Sequence, residues 1–317
     1  MATKIEWAHE TWNPVVGCTK ISVGCENCYA ERMAARLANM GQSIYMNVVK
    51  HEKTDSGCLK WLPRWNGKTS IASIKTIEKP WNWKKHRFVF VCSMGDLFHE
   101  SVSLETVLNI MYVINKCRQH TFLILTKRPE RMREFFVEWL HDQTGDYIPN
   151  MWLGVTAENQ DMVNERIPVL LNVPAAKHFV SVEPMLGPVD IVQYMHDSCC
   201  NEIREKEGIC ICSEPREPHL NWVICGGESG PGARPTHPIW VQSLRDQCVN
   251  NKTPFHFKQW GAWIPVDYVR EGKHYVNLTP TGNEILLHDP LINMRRVGKK
   301  RAGRMLNGRE WDQMPTI

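Results

Sequence analysis

"TFLILTKR", residues 121–128, is the stretch that decides the architecture. Phe122 to Leu125 run without a polar residue between two threonines, and charge then arrives abruptly at Lys127 and Arg128. A strand with one wet face alternates; unbroken apolarity over so short a run predicts a strand buried on both faces, as in a parallel sheet. The same signature recurs in "RFVFVC" from Arg87, "MWLGVT" from Met151, "HFVSVE" from His178, "NWVICG" from Asn221 and "PFHFKQ" from Pro254. Successive starts lie 34, 30, 27, 43 and 33 residues apart, close to one strand-plus-helix unit each. Helical spacing follows in Leu104, Val107, Leu108, Met111 and Tyr112, in Met162, Val163, Ile167 and Leu170, and in Trp240, Val241 and Leu244. Six consecutive units predict an α/β protein, either a barrel or a doubly wound sheet.

One more unit precedes them. A strand is expected at "TWNPVV" (residues 11–16), then a loop with three cysteines, then a helix, "YAERMAARLANM", with Met33, Leu37 and Met40 on one face. Residues 41–86 and 190–220, in round terms, break the rhythm as insertions, which divides the chain into a core at 1–261 and a C-terminal extension at 262–317.

Composition sets the outer bounds. With 317 residues, 43% hydrophobic and 23% charged, the chain is an ordinary globular one. Its start, "MATKIEWAHETW", has no apolar leader and no later run reaches membrane length, so the expectation is a cytoplasmic protein without a membrane partner. Twelve cysteines in such a chain predict reduced thiols rather than a disulfide scaffold. The net charge is only +4, yet Arg295, Arg296, Lys299, Lys300, Arg301, Arg304 and Arg309 crowd one acid-free run and point to a polyanion. Trp61, Arg64, Trp65 and Lys68, then Lys79, Trp81, Trp83, Lys84, Lys85 and Arg87, interleave aromatics with cations in the first insertion. That is either a surface for nucleic-acid bases or tryptophans packing a cover onto the core.

In a parallel α/β barrel the chemistry gathers where strands end. Here the strand ends carry Ser93 to Asp96, then Thr126, Lys127 and Arg128, then Thr156, Glu158 and Asn159, then Ser181 and Glu183, then "GGESGPGARP", then Lys258 and Gln259. Glu183 and Glu228 directly follow buried runs, where a carboxylate needs a partner or a ligand; as an acid/base pair they would suit a hydrolase or transferase. The glycine-rich turn from Gly226, with Arg234 just inside it, is a place to hold an anion.

The three-cysteine loop places Cys18, Cys25 and Cys28 at gaps of six and two residues. Together with His9 they could make a Cys3His zinc site. Three thiolates alone suit a four-iron cluster with one iron left open to an outside ligand. Cys199, Cys200, Cys210 and Cys212, in the second insertion, are either an auxiliary metal site or incidental thiols.

The motifs "WNPVVGCTKISVGCENCYAERMA", "LTKRPERM", "LGVTAENQ", "SVEPMLGPV", "VICGGESGPGARP" and "FKQWG" together resemble the phage-associated three-cysteine-motif family, and through it the radical S-adenosylmethionine superfamily. The resemblance runs from about Trp12 to Gly261 and resumes at "GKKRAGRMLNGREWD". It implies a partial (βα) barrel of the radical S-adenosylmethionine type, with insertions and a basic C-terminal extension. It also implies a [4Fe-4S] cluster on Cys18, Cys25 and Cys28, and S-adenosylmethionine cleaved to a 5′-deoxyadenosyl radical. An electron donor such as flavodoxin or ferredoxin would be needed, and a nucleic-acid base or nucleotide is the implied substrate class. The cofactor's amino group would fall to Asp96, in place of a Gly-Gly-Glu that here stands later as Gly226, Gly227 and Glu228. Thr156, Glu158, Asn159, Ser181 and Glu183 would meet its ribose and carboxylate. The competing reading is a zinc-stabilised nucleic-acid-binding protein without redox chemistry.

Overall fold

Every apolar run singled out above becomes a strand of one sheet. The computed structural model describes residues 5–55, 57–141, 147–195, 218–266, 275–278 and 292–316. Its central element is a seven-stranded parallel sheet, β1 (Glu10–Trp12), β2 (Phe88–Val91), β3 (Thr121–Thr126), β4 (Met151–Thr156), β5 (Lys177–Val182), β6 (Leu220–Gly226) and β7 (Phe255–Gln259), in that spatial order. Helices α1 (Tyr29–Asn39), α2 (Leu104–Lys116), α3 (Pro129–His141), α4 (Gln160–Leu171) and α5 (Pro238–Asn250) lie between successive strands in the chain. Each strand pairs with its predecessor, so the sheet winds one way without a switch point. That rules out the doubly wound alternative and leaves the winding of a (βα) barrel. Among the described residues, no helix is long and apolar enough to cross a membrane.

The chain divides into two compact units, Met1–Val155 with Val173–Lys177, and Thr156–Asn172 with His178–Ile317. In the first unit, three expectations are revised. "TWNPVV" is not one strand: Pro14 offers no N–H to a ladder, β1 ends at Trp12, and Val15–Val16 turn away to pair antiparallel with Ser70–Ile71. The face of α1 is set by small residues, Ala34, Ala35 and Ala38, so that the hairpin Val49–Lys53/Leu59–Trp65 can close on it. Met33 and Leu37 flank that core and Met40 is exposed. Glu31 is buried on the same face because its carboxylate accepts the Trp65 N–H at 2.7 Å and pairs with Lys20 at 2.9 Å. The core face of α2 is Val107, Ile110, Met111 and Ile114, leaving Leu104 and Tyr112 in solvent. Residues 41–86 are therefore the cover of α1 and of the edge strand.

In the second unit, α4 buries Val163, Arg166, Ile167 and Leu170 and α5 buries Trp240, Val241 and Leu244. The C-terminal segment is woven into the core. Trp263–Val266, Ile292–Arg296 and Tyr275–Leu278 form a three-stranded antiparallel sheet in that order. Residues 311–313 return to the last strand: the Phe257 N–H donates to the Trp311 carbonyl at 2.8 Å, and the Trp222 indole N–H to the Gln313 carbonyl at 2.9 Å. This covers backbone groups that β7, at the end of the sheet order, would otherwise expose.

Candidate functional site

The cysteine loop is anchored at its first residue. The Gly17 N–H donates to the Met94 carbonyl at 3.0 Å, and Gly17 forms a bridge with Gly95. Gly17 has φ +94°, and a Cβ there would collide with the Lys68 carbonyl and with Val48, so the position admits only glycine. From this anchor Cys18, Cys25 and Cys28 follow, all free thiols and all half-buried, with a short 3-10 turn at Val23–Cys25. Cys28 stands at the N-cap of α1.

Arg128, delivered by the end of β3, is the hub of the loop. Its Nη1 lies 3.6 Å from Cys18 Sγ and 3.0 Å from Asp96 Oδ2, its Nη2 donates to Thr19 Oγ1 at 2.6 Å, and its Nε donates to Glu100 Oε2 at 3.0 Å. Asp96 holds the arginine in turn. Its Oδ1 accepts the Phe98 N–H at 3.0 Å and the Thr126 hydroxyl at 2.8 Å, and its Oδ2 accepts the weaker Lys127 N–H at 3.4 Å. The carboxylate expected to meet a cofactor's amino group thus spends its acceptors inside the protein, fastening Arg128 to the loop. His99, wholly buried, completes the network through Thr19 Oγ1 at 3.1 Å and Ser101 Oγ at 2.9 Å. Burial, then the Arg128 charge, holds it below the ordinary histidine range.

The thiols of this loop are not equivalent. Burial, then the Asp96 charge, pushes Cys18 up to about 12 against the opposing pull of Arg128. At Cys25 burial also pushes upward, but the Lys127 charge and hydrogen bonds from Ile21 and Ser22 outweigh it, and the thiol falls below its ordinary value. The two thiols of one loop are therefore shifted in opposite directions.

The donor set separates the two metals. Among the described residues, no group of three or more His, Cys, Asp or Glu side chains gathers tightly enough for a single metal ion. His9, the expected fourth zinc ligand, precedes β1 at the amino end of the strand, and its Nδ1 accepts the Phe88 N–H at 3.0 Å, while the cysteine loop follows the carboxyl end. The Cys3His arrangement is not assembled. A four-iron cluster would seat each cysteine on a different iron, asking for three thiolates in one loop rather than around one point; the loop carries Cys18, Cys25 and Cys28, with Arg128 beside Cys18.

In the second unit the strand-end carboxylates are paired with cations. Glu158, fully buried, meets Arg166 Nη1 at 3.2 Å, and the same nitrogen donates to the Thr156 carbonyl at 2.8 Å. Asn159 caps α4 by accepting the Met162 N–H at 3.0 Å. Glu183 meets Lys258 Nζ at 3.1 Å and accepts the Ser181 hydroxyl at 3.1 Å. Glu228 is gripped by Arg234, whose Nε and Nη2 donate to its two oxygens at 3.0 and 2.8 Å. Gly226 lies against Glu183, where a Cβ would come within 2.6 Å of its carboxylate, and Gly227 lies against the Trp260 carbonyl. Thr156, Glu158 and Asn159 thus serve the start of α4, while Ser181, Glu183, Gly226, Gly227 and Glu228 cluster at the ends of β5 and β6. Glu183 and Glu228 each have the partner their burial demands, which removes the need to read them as an acid/base pair.

The basic run follows the three-stranded sheet of the same unit. Arg295, Arg296, Lys299, Lys300 and Arg301 are exposed; Arg296 donates to the Gly230 carbonyl at 2.9 Å, and Arg304 pairs with Glu310 at 3.4 Å. In the first insertion the packing reading prevails for Trp65 and Trp83, which are buried. Lys79 and Arg87 lie over the Trp83 ring at 5.5 and 5.3 Å, whereas Trp81 is exposed. Cys199, Cys200, Cys210 and Cys212 lie outside the described residues.

Thr19, Glu100 and Arg166 escape sequence reading. A charged residue on the apolar face of α4 was the available signal for Arg166, while nothing local marks Thr19 or Glu100, which matter only because Arg128 reaches them.

The fold and loop define an α/β protein with a singly wound parallel sheet and a cysteine-bearing loop at the carboxyl edge of its strands. A family model described as "Protein of unknown function (DUF5131)" matches residues 2–315, so the chain belongs to that family. No curated protein and no solved structure matches it.

Proposed function

We propose that this chain is a radical S-adenosylmethionine enzyme akin to the phage-associated three-cysteine-motif proteins, built on a partial (βα) barrel. Cys18, Cys25 and Cys28 would hold a [4Fe-4S] cluster. With S-adenosylmethionine on the open iron and an electron from a flavodoxin- or ferredoxin-like donor, that cluster supplies a 5′-deoxyadenosyl radical for hydrogen abstraction. The observation that carries the reading is the Arg128 constellation: three thiols in one loop, a guanidinium against Cys18, and the Lys127 charge lowering Cys25. Arg128 ties the loop to the ends of β2 and β3, and Asp96 and Thr126 orient Arg128. The exposed cations from Arg295 to Arg301 support a nucleic-acid base or nucleotide as substrate, in the cytoplasm.

The test is anaerobic purification with iron, sulfide and zinc analysis, then EPR of the reduced protein with and without S-adenosylmethionine. About four irons and sulfides per chain, with a spectrum that the cofactor alters, is the expected result. Zinc without iron after cluster reconstitution would sink the proposal in favour of a zinc-stabilised nucleic-acid binder.

A further inference from the structure

Arg295, Arg296, Lys299, Lys300 and Arg301 of the second unit are all exposed, and residues 292–306 contain no Asp or Glu. These cations stand on a fixed frame. Ile292–Arg296 is the middle strand of the three-stranded sheet. The Val297 and Gly298 N–H groups then both donate to the Ala262 carbonyl, at 2.9 and 3.0 Å. After the helical turn Lys299–Ala302, the Gly303 carbonyl accepts the Trp260 N–H at 3.1 Å, and the Met305 carbonyl accepts the Trp260 indole N–H at 2.8 Å. Both ends of the run are thus fastened to the segment that follows β7. Gly298 and Gly303, at φ +84° and +69°, let the chain turn into and out of that helical turn, and the space where a Cβ would stand is open at both.

Like charges held together in this way repel one another, and nothing in the run offsets them. Lys300 and Arg301 meet no carboxylate among the described residues, while Glu310 is engaged by Arg304 at 3.4 Å. A frame that keeps cations together is complementary to a polyanion. The chemistry of the run selects among polyanions. Val297, the sole large apolar residue between Arg295 and Arg304, is half-buried, so a lipid surface would receive no inserted side chain. The guanidinium forks of Arg296 and Arg301 match phosphate oxygens. A free nucleotide presents its phosphates at one end. A nucleic-acid strand repeats them, about one per 3.4 Å of axis in a duplex strand, and can engage the whole run.

We propose that residues 295–301 form a clamp for the sugar–phosphate backbone of a nucleic-acid strand. This rests on the substrate class proposed above and narrows it from a base or nucleotide to a polymer. Arg296 gives the clamp its place: its Nη2 donates to the Gly230 carbonyl at 2.9 Å, tying the run to the glycine-rich turn after β6 that also carries Glu228 and Arg234. A strand held there passes the carboxyl ends of β6 and β7, where this unit gathers its site residues.

The experiment is fluorescence anisotropy on the full chain without its cluster, using a labelled oligonucleotide as single strand and as duplex between about 50 and 200 mM salt. ATP, vesicles containing phosphatidylserine and unlabelled oligonucleotide serve as competitors. The oligonucleotide is expected to bind with a slope of log K against log salt steeper than about −2, the value for three phosphate contacts on a single strand. Unlabelled oligonucleotide should displace it far more effectively than ATP or vesicles do. The triple variant Lys299→Gln/Lys300→Gln/Arg301→Gln should flatten the slope by about 2, with circular dichroism and melting unchanged because these side chains are exposed. A second triple variant, Lys50→Gln/Lys53→Gln/Lys60→Gln, removes the same net charge from exposed positions of the first unit and should leave the slope as it is. Absence of oligonucleotide binding, displacement by ATP or vesicles as effective as by unlabelled oligonucleotide, or equal flattening in the two triple variants would each overturn the assignment. None of these readouts involves iron, so the cluster proposal and this one fail separately.

Discussion

The two units solve one problem with different outcomes. In each, a carboxylate at a strand end is matched by a cation: the buried Asp96 by Arg128 in the first, and the buried Glu158 and Glu228 by Arg166 and Arg234, with the half-buried Glu183 by Lys258, in the second. In the second unit none of the three cations meets a cysteine sulfur among the described residues. In the first, Arg128 is shared among Asp96, Glu100, Thr19 and the Cys18 sulfur, so the same device that satisfies a buried acid also electrostatically organises a thiol loop. Cysteines make the same contrast. Cys225 and Cys248 in the second unit are deep in the core, and burial drives both thiols well up, joined at Cys225 by the Glu183 charge, so they behave as small apolar residues. Cys25 differs from them in the Lys127 charge placed beside it, which draws its thiol downward.

The largest expected effect comes from cutting the shared cation. Arg128→Met and Arg166→Met should each cost on the order of 3–5 kcal/mol, because each strands a buried carboxylate; thermal or urea unfolding measures this. Only Arg128→Met should also lower iron loading after reconstitution, and equal loading in the two variants would erase the difference between the units. Next come the cysteines. Alanine at Cys18, Cys25 or Cys28 should abolish cluster loading while costing at most about 1 kcal/mol at half-buried positions. Cys225→Ser should leave loading intact but cost about 1–3 kcal/mol by burying a hydroxyl without a compensating bond.

Alkylation sharpens the comparison further. In cluster-free protein near pH 8, iodoacetamide should modify Cys25 well before Cys18, since a lowered pKa means more thiolate at a given pH, and it should spare Cys225 and Cys248; peptide mass spectrometry reads the order. A smaller effect concerns His99, whose folded pKa lies below its ordinary 6.5. The unfolded chain takes up that proton first, so the stability from neutral His99 is present above pH 6.5 and is lost as pH falls through the folded value. The acid limb of an unfolding profile should flatten in His99→Gln. The smallest expected change is at the surface: Lys300→Ala should leave melting within about 0.5 kcal/mol of wild type and reduce the salt slope of nucleic-acid binding by about 0.7–0.9.

The strands were legible because burial on both faces writes itself as an unbroken apolar run, and the positions from Arg87 to Pro254 all lie at or beside observed strands. Helix faces were less legible. In α1 Met33 and Leu37 do pack against the core, but its buried centre is Ala34, Ala35 and Ala38, where the close approach of a hairpin selects alanine, and Met40 is exposed. At the rim, Glu228 and Arg234 are six residues apart and their pairing lies within one turn, whereas Lys258 reaches Glu183 across 75 positions only because β5, β6 and β7 are neighbours.

The sequence by itself determined that a buried parallel sheet exists, that three thiols share one loop, and that Glu183 and Glu228 require partners. These follow from local composition and from the cost of burying charge. The folded structure alone shows which cation meets which acid, and that Arg128 lies against the Cys18 sulfur. Asp96–Arg128 and Glu183–Lys258 join residues tens of positions apart through strand register, and no short-range pattern encodes register between distant segments.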